Sequence, residues 1–164
     1  VQSGISAART CEGLDSCWID FSKGLGAPVG AVMAGSADFI ERAWAVKQQL
    51  GGAMRQSGIL ATMCLYALDH HVYRLADDHV LAKSIATRVG ELAKVERLLP
   101  VKSNIVIFDL AEDAPDAPEL VRLCESDGLA IGAFGKQRIR IVTHLDVDAQ
   151  AGDHLCQSLQ RHLG

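Results

Sequence analysis

The stretch from Ser22 to Gly30, SKGLGAPVG, restricts the fold more than any other part of the chain. Gly loses the most backbone freedom when it is ordered, and Pro lacks the N–H that a helix or ladder needs, so a segment this rich in both cannot be the interior of an element. It is a loop or tight turn. Before it, Ser16-Cys17-Trp18-Ile19-Asp20-Phe21 alternates apolar and polar residues as a half-buried strand does; after it, Gly30 to Ala34 (GAVMA) is a short apolar run consistent with a buried strand.

Helical periodicity follows. Ser36 has the character of an N-cap, Asp38 sits in the first turn, and Phe39, Ile40, Ala43, Trp44, Lys47 and Leu50 share one face before Gly51-Gly52. A second helix is predicted from about Met54 to His70, with Ile59, Leu60, Met63, Cys64 and Ala67 inward, and a third from about Leu75 to Leu98, patterned by Leu81, Ile85, Val89 and Leu92. Asn104 to Leu110 reads as a strand. Asp113 to Pro118 introduces a helix that stops at Gly128. Leu129 to Phe134 and Arg138 to Thr143 flank Gly135-Lys136-Gln137 as an antiparallel hairpin, and an amphipathic helix runs from about Val147 to Leu163. The order is strand, strand, three helices, then strand, helix, hairpin, helix. The first two strands have the look of buried strands of a parallel α/β sheet, too few to stand alone, whereas the last part reads as a self-sufficient antiparallel sheet of about three strands with helices on one face.

Composition narrows the function. With 16 Lys and Arg against 20 Asp and Glu, and no long basic run, the chain has no footprint for a nucleic-acid backbone. No apolar run approaches the ~20 residues that span a bilayer, so no membrane role is expected. Five scattered Cys without a C-x-x-C pair read as reduced thiols of a cytoplasmic protein, not as a disulfide frame or a zinc site. His70, His71 and His79 lie near Asp69, Asp77 and Asp78, but the i, i+4 pairing of helical metal sites is missing, so no metal is expected there.

Lys23 is the candidate for chemistry. It follows a strand and sits among glycines that let a ligand approach the backbone, a setting in which an amine can form a Schiff base. On pattern alone the solvated loop lysine is the favoured reading, since most lysines lie at the surface.

Three segments in register, FSKGLGAPVGAVMAG (21–35), LGGAMRQSGILAT (50–62) and RIVTHLDV (140–147), resemble the threonine aldolases and their beta-eliminating lyase relatives. The resemblance extends over nearly the whole chain. It implies a pyridoxal 5'-phosphate-dependent carbon–carbon lyase of the aspartate-aminotransferase-like fold. Residues 1–75 would be the C-terminal part of the cofactor-binding large domain, and 76–164 a small α+β domain. By the same resemblance, Lys23 matches the lysine that holds the cofactor as a Schiff base, and Arg55 a basic residue that reaches across a dimer interface to the cofactor phosphate. Arg140 matches the arginine that binds the substrate α-carboxylate. From the residues alone, Arg55 reads equally as an ordinary arginine at a helix N-terminus and Arg140 as a solvent-facing strand residue. His144, in the third segment, is assigned no catalytic step. Gln48 stands where many relatives carry a second basic residue, and Lys47 precedes it, about 100° around a helix.

The implied activity is retro-aldol cleavage of a small β-hydroxy-α-amino acid to glycine and an aldehyde, in a homo-oligomer, dimer or tetramer. The acidic partner of the cofactor ring nitrogen, the aromatic group that stacks on the ring and the phosphate loop have no counterparts in these residues. With Val at position 1, the expectation is a C-terminal half, inactive by itself and prone to associate through uncovered strands. The competing expectations are a non-catalytic remnant or oligomerising interaction module, and a different reaction of the same cofactor, β-elimination or transamination.

Overall fold

The computed structural model describes all residues, 1–164. The chain divides into two compact units, residues 3–74 and 75–164.

The first unit opens with a single turn of helix, α1 (Ala7–Thr10), and then a ribbon of β1 (Ser16–Asp20) and β2 (Ala31–Gly35). The ribbon is antiparallel, with Trp18 opposite Met33 and Ile19 opposite Val32. This corrects the expectation that these runs are buried strands of a parallel sheet. The loop between them doubles the chain straight back, which only an antiparallel pair permits, and Trp18, Ile19, Val32 and Met33 stay exposed. Helix α2 (Ala37–Gln49) begins as expected, with the Ser36 hydroxyl accepting the Phe39 N–H at 3.2 Å. Helix α3 (Gly58–His71) begins later than its periodicity suggests, because Gln56 takes the left-handed φ of 54° and no helix passes through it. Arg55 therefore lies in a loop and not on a helix.

The second unit is a four-stranded antiparallel sheet in the order β3-β4-β6-β5, from β3 (Val95–Leu98), β4 (Ile105–Leu110), β5 (Gly132–Ala133) and β6 (Arg138–Val142). The extra strand relative to the three expected is β3. Helix α4 (Leu75–Val89) stops at Gly90 instead of continuing to Leu98, and the chain folds back so that Val95 and Leu98 pair with Leu110 and Phe108. Leu92 keeps the helical spacing only because it packs into the same core. The hairpin after Leu129 is present but its first strand is two residues long, closed by the Phe134 N–H on the Arg138 carbonyl at 2.7 Å.

One face of this sheet is covered by α4, α5 (Ala117–Ser126) and α6 (Ala149–Leu163). Val106, Phe108, Ile139 and Ile141 from the strands meet Ile85, Val89, Leu120, Leu155 and Leu159 from the helices in one buried core. Alternation along β6 puts Ile139 and Ile141 in that core and Arg138 and Arg140 on the opposite, open face.

Candidate active site

The Lys23 loop is held from beneath. Its backbone closes on itself, with the Phe21 N–H donating to the Gly30 carbonyl at 2.9 Å, Gly26 to Lys23 at 2.8 Å and Ala27 to Phe21 at 2.9 Å. Gly26 at φ +67° and Gly30 at φ +120° supply conformations that side chains resist. A Cβ on Gly30 would also meet the Cys64 sulfur at 3.0 Å. Helix α3 clamps the loop at two further points. The His71 ring donates through Nδ1 to the Leu25 carbonyl at 2.6 Å, which fixes that ring nitrogen as the protonated one, and the Cys64 thiol points at the Val29 carbonyl at 3.5 Å. The buried hydrophobic residues of the first unit, Phe21, Leu25, Ala27, Cys64 and Ala67, all belong to this loop or to α3. The small core of the unit is thus the foundation of the loop.

Lys23 stands on that foundation with its side chain 74% exposed. Its ammonium donates to Asp20 at 2.5 Å, and this hydrogen bond holds the Asp20 carboxyl below its ordinary range. Sequence reasoning misses Asp20, although its spacing, three residues before the lysine at the end of a strand, is a visible signal. It misses His71 too. The surroundings of His71 read as a polar turn, and nothing local in the sequence connects it to a carbonyl 46 residues away.

Arg55 and Arg140 are both exposed and neither makes an ion pair or side-chain hydrogen bond. Arg138, on β6, behaves differently. It is committed to Asp109 across the ladder, through two hydrogen bonds of 2.6 and 2.9 Å that push the arginine pKa up and hold the carboxyl down. Arg140, two residues along on the same face, lies between Ile107 and Gly132, neither of which offers it a charge. Its planar guanidinium is open to a carboxylate in the bidentate manner. Lys47 is otherwise engaged, its ammonium lying 5.2 Å over the Trp44 ring. Lys23 and Arg55 belong to the first unit and Arg140 to the second. No three His, Cys, Asp or Glu side chains converge to hold a metal ion, and no helix is long and apolar enough to cross a membrane.

An exposed lysine on a braced glycine turn is a local feature that many folds can build, so the comparison with known proteins carries weight here. The chain is similar to the low-specificity L-threonine aldolase 1 of Arabidopsis thaliana, 35% identical over 143 residues, which are 86% of this chain and 40% of that protein. It is also similar to the low specificity L-threonine aldolase of Escherichia coli, 38% identical over 146 residues, 83% of this chain and 39% of that one. The chain therefore spans about two fifths of the length of these curated relatives. Among solved structures, a protein of Listeria monocytogenes provisionally assigned as an L-allo-threonine aldolase superposes with a TM-score of 0.69 at 20% identity. The superposition covers 91% of this chain and 45% of the other. A methionine gamma lyase from Micromonospora echinospora superposes at 0.67 with 18% identity, covering 93% and 51%. These likenesses show the fold, that of the pyridoxal-phosphate-dependent lyases and transferases, and two different reactions are run on it. Residues 1–113 match the beta-eliminating lyase family as a whole. With most of its length matched, including the braced lysine loop, the chain belongs to the beta-eliminating lyase family.

Proposed function

We propose that the chain supplies the lysine-bearing part of a pyridoxal-phosphate-dependent threonine aldolase, which cleaves the Cα–Cβ bond of a small β-hydroxy-α-amino acid to glycine and an aldehyde. Residues 1–75 would be the C-terminal part of the large, cofactor-binding domain and 76–164 the small domain. The observation that carries the reading is the Lys23 loop, a solvent-open amine on a backbone fixed from below. The donor set suits the cofactor in kind: one accessible amine, and two guanidiniums, Arg55 and Arg140, that no carboxylate of the chain neutralises.

In this reading Lys23 would hold the cofactor through its aldehyde carbon, Arg55 would reach across a dimer interface to the phosphate of the neighbouring subunit's cofactor, and Arg140 would hold the substrate carboxylate. Bound pyridoxal phosphate would supply an electron-accepting ring for the pair left on Cα when the bond to Cβ breaks. Lys23 donates to Asp20, so the amine must leave Asp20 before it can react. These 164 residues offer no assigned carboxylate for the ring nitrogen, so the chain by itself is expected to capture the cofactor without turning over substrate. The exposed apolar ribbon supports self-association as the oligomeric part of the proposal.

The test is cofactor capture. The chain is incubated with pyridoxal phosphate and reduced with borohydride, and the modified lysine is found by peptide mass spectrometry. Modification concentrated at Lys23, and lost in Lys23→Ala, is expected. Equal labelling of Lys47, Lys83, Lys94, Lys102 and Lys136 would make Lys23 an ordinary surface lysine and leave the chain as a non-catalytic interaction module.

A further inference from the structure

Asp20 is the last residue of β1, and its place is set by the strand and not by the lysine it meets. Its backbone stands opposite Ala31 at the end of the ribbon. The next residue, Phe21, is buried and ties the loop shut through its N–H on the Gly30 carbonyl. The Asp20 side chain is 31% exposed and that of Lys23 74%. One carboxylate oxygen, Oδ2, lies 2.5 Å from Lys23 Nζ, the nitrogen that would react. Neither side chain has a second ion-pair partner. Across the ribbon β2 sets uncharged Ala31 and Met33 opposite Asp20 and Trp18. From beneath, α3 brings Cys64 and His71, both committed to carbonyls of the loop.

We propose that Asp20 is the counter-ion of the imine that Lys23 forms with an aldehyde: its carboxylate accepts the one N–H left on the nitrogen and keeps that nitrogen protonated. The inference deepens the proposed function and rests on its reading of Lys23 as the reacting amine.

The amine leaves Asp20 and adds through its lone pair to the aldehyde carbon. The C=O bond then gives way to C=N, and the oxygen departs as water. Counted from the ammonium, two hydrogens leave in the water and the third stays on a cationic imine. Net charge is the same on both sides, and nothing is oxidised or reduced. A cation carrying an N–H at Nζ is therefore what Asp20 faces before and after the reaction, and the contact re-forms without any movement of the strand. A role as proton donor to the departing oxygen suits Asp20 less. Its hydrogen bond to Lys23 holds the carboxyl below the ordinary range, so in neutral solution it has no proton to give.

The probe is pyridoxal phosphate, added to the whole chain. The readout is the absorbance of the imine, which differs between the protonated and the neutral nitrogen. Lys23→Ala supplies the blank, and borohydride reduction followed by peptide mass spectrometry locates the label. A carboxylate in contact favours the charged form of its partner and raises the pH at which the proton leaves. The pair is partly open to water, so the effect is screened. In Asp20→Asn the titration midpoint should fall by about 0.3 pH unit or more, which is about a twofold change in the protonation equilibrium. Asp20→Glu keeps the charge and should titrate nearer to the parent than to Asp20→Asn. His71 is present in all three chains, so its own titration is common to them. A smaller or an upward shift in Asp20→Asn, or an Asp20→Glu midpoint nearer to that of Asp20→Asn, would overturn the proposal and leave Lys23 as the reacting amine. A parent chain without label at Lys23 would overturn both.

Discussion

Replacing His71 by Ala removes a single donor, yet the structure makes its consequence local and measurable. The Leu25 carbonyl accepts from His71 Nδ1 at 2.6 Å, and Leu25 itself is buried. A neutral hydrogen bond contributes ~1 kcal/mol net, and a carbonyl left without a partner in a partly buried site costs about 1–3 kcal/mol. The opening equilibrium of the Lys23 loop should therefore rise about 5- to 150-fold, at 1.4 kcal/mol for each factor of ten. Three amide protons report it: those of Phe21, Gly26 and Ala27, whose acceptors all lie within the loop. Native-state hydrogen exchange, read residue by residue by NMR, should show these three accelerated, while amides of the β4–β6 ladder in the second unit exchange as before. In His71→Asn the side-chain amide takes the place of Nδ1 and should recover most of the protection. Unchanged exchange at the three loop amides in His71→Ala would refute the claim that α3 holds the loop through this contact. So would an equal acceleration across both units, which would mark His71 as a contributor to general stability only.

Two further outcomes are expected in the second unit. The Asp127 carboxylate, at the end of α5, accepts from Ser158 Oγ at 2.5 Å, Arg161 at 2.7 Å and His162 at 3.1 Å, and these donors, Ser158 first, hold its pKa well below the carboxylate range. A depressed folded-state pKa stabilises above the unfolded value of about 3.9 and loses that contribution as pH falls toward the folded value. Thermal melts from neutral to acid solution should thus drop below about pH 4 in the parent. Asp127→Asn should melt lower at neutral pH and depend less on acid; a parallel acid profile would count against the assignment. Phe108→Ala empties the centre of the core, where the side chain is fully buried. It should lower the unfolding free energy by about 3–5 kcal/mol in urea titration, and a loss under about 1 kcal/mol would mean that the core closes over the gap.

Whatever local chemistry determines is legible in the sequence. The Ser36 cap, the Gly-Pro turn around Lys23 and the hairpin at Gly135 each depend on a few adjacent residues, and each forms. Alternation in RIRIV is enough to put Arg138 and Arg140 on one face. Which of the two is free is not legible, since that depends on Asp109 arriving opposite Arg138 through the β4–β6 register. The same limit hides β3. Val95 and Leu98 satisfy a helical period and a strand pairing equally, and the choice is made by Leu110 and Phe108. The clamp on the lysine loop is invisible for the same reason, because His71 and Cys64 are linked to it only through space.

The largest departure, the β1–β2 ribbon, has a different cause. An apolar strand records the environment it is suited to, and nothing in the run says whether the same chain provides it. Here Trp18 is 67% exposed opposite Met33 at 50%, with Ile19 and Val32 exposed on the other side. These four side chains find no cover within the first unit. The Lys23 loop is insulated from this deficit because its support comes from α3 beneath it and not from the ribbon's faces. The lysine carries its own bracing within the first unit, so on the proposed function its capture of the cofactor is expected not to depend on what covers the ribbon.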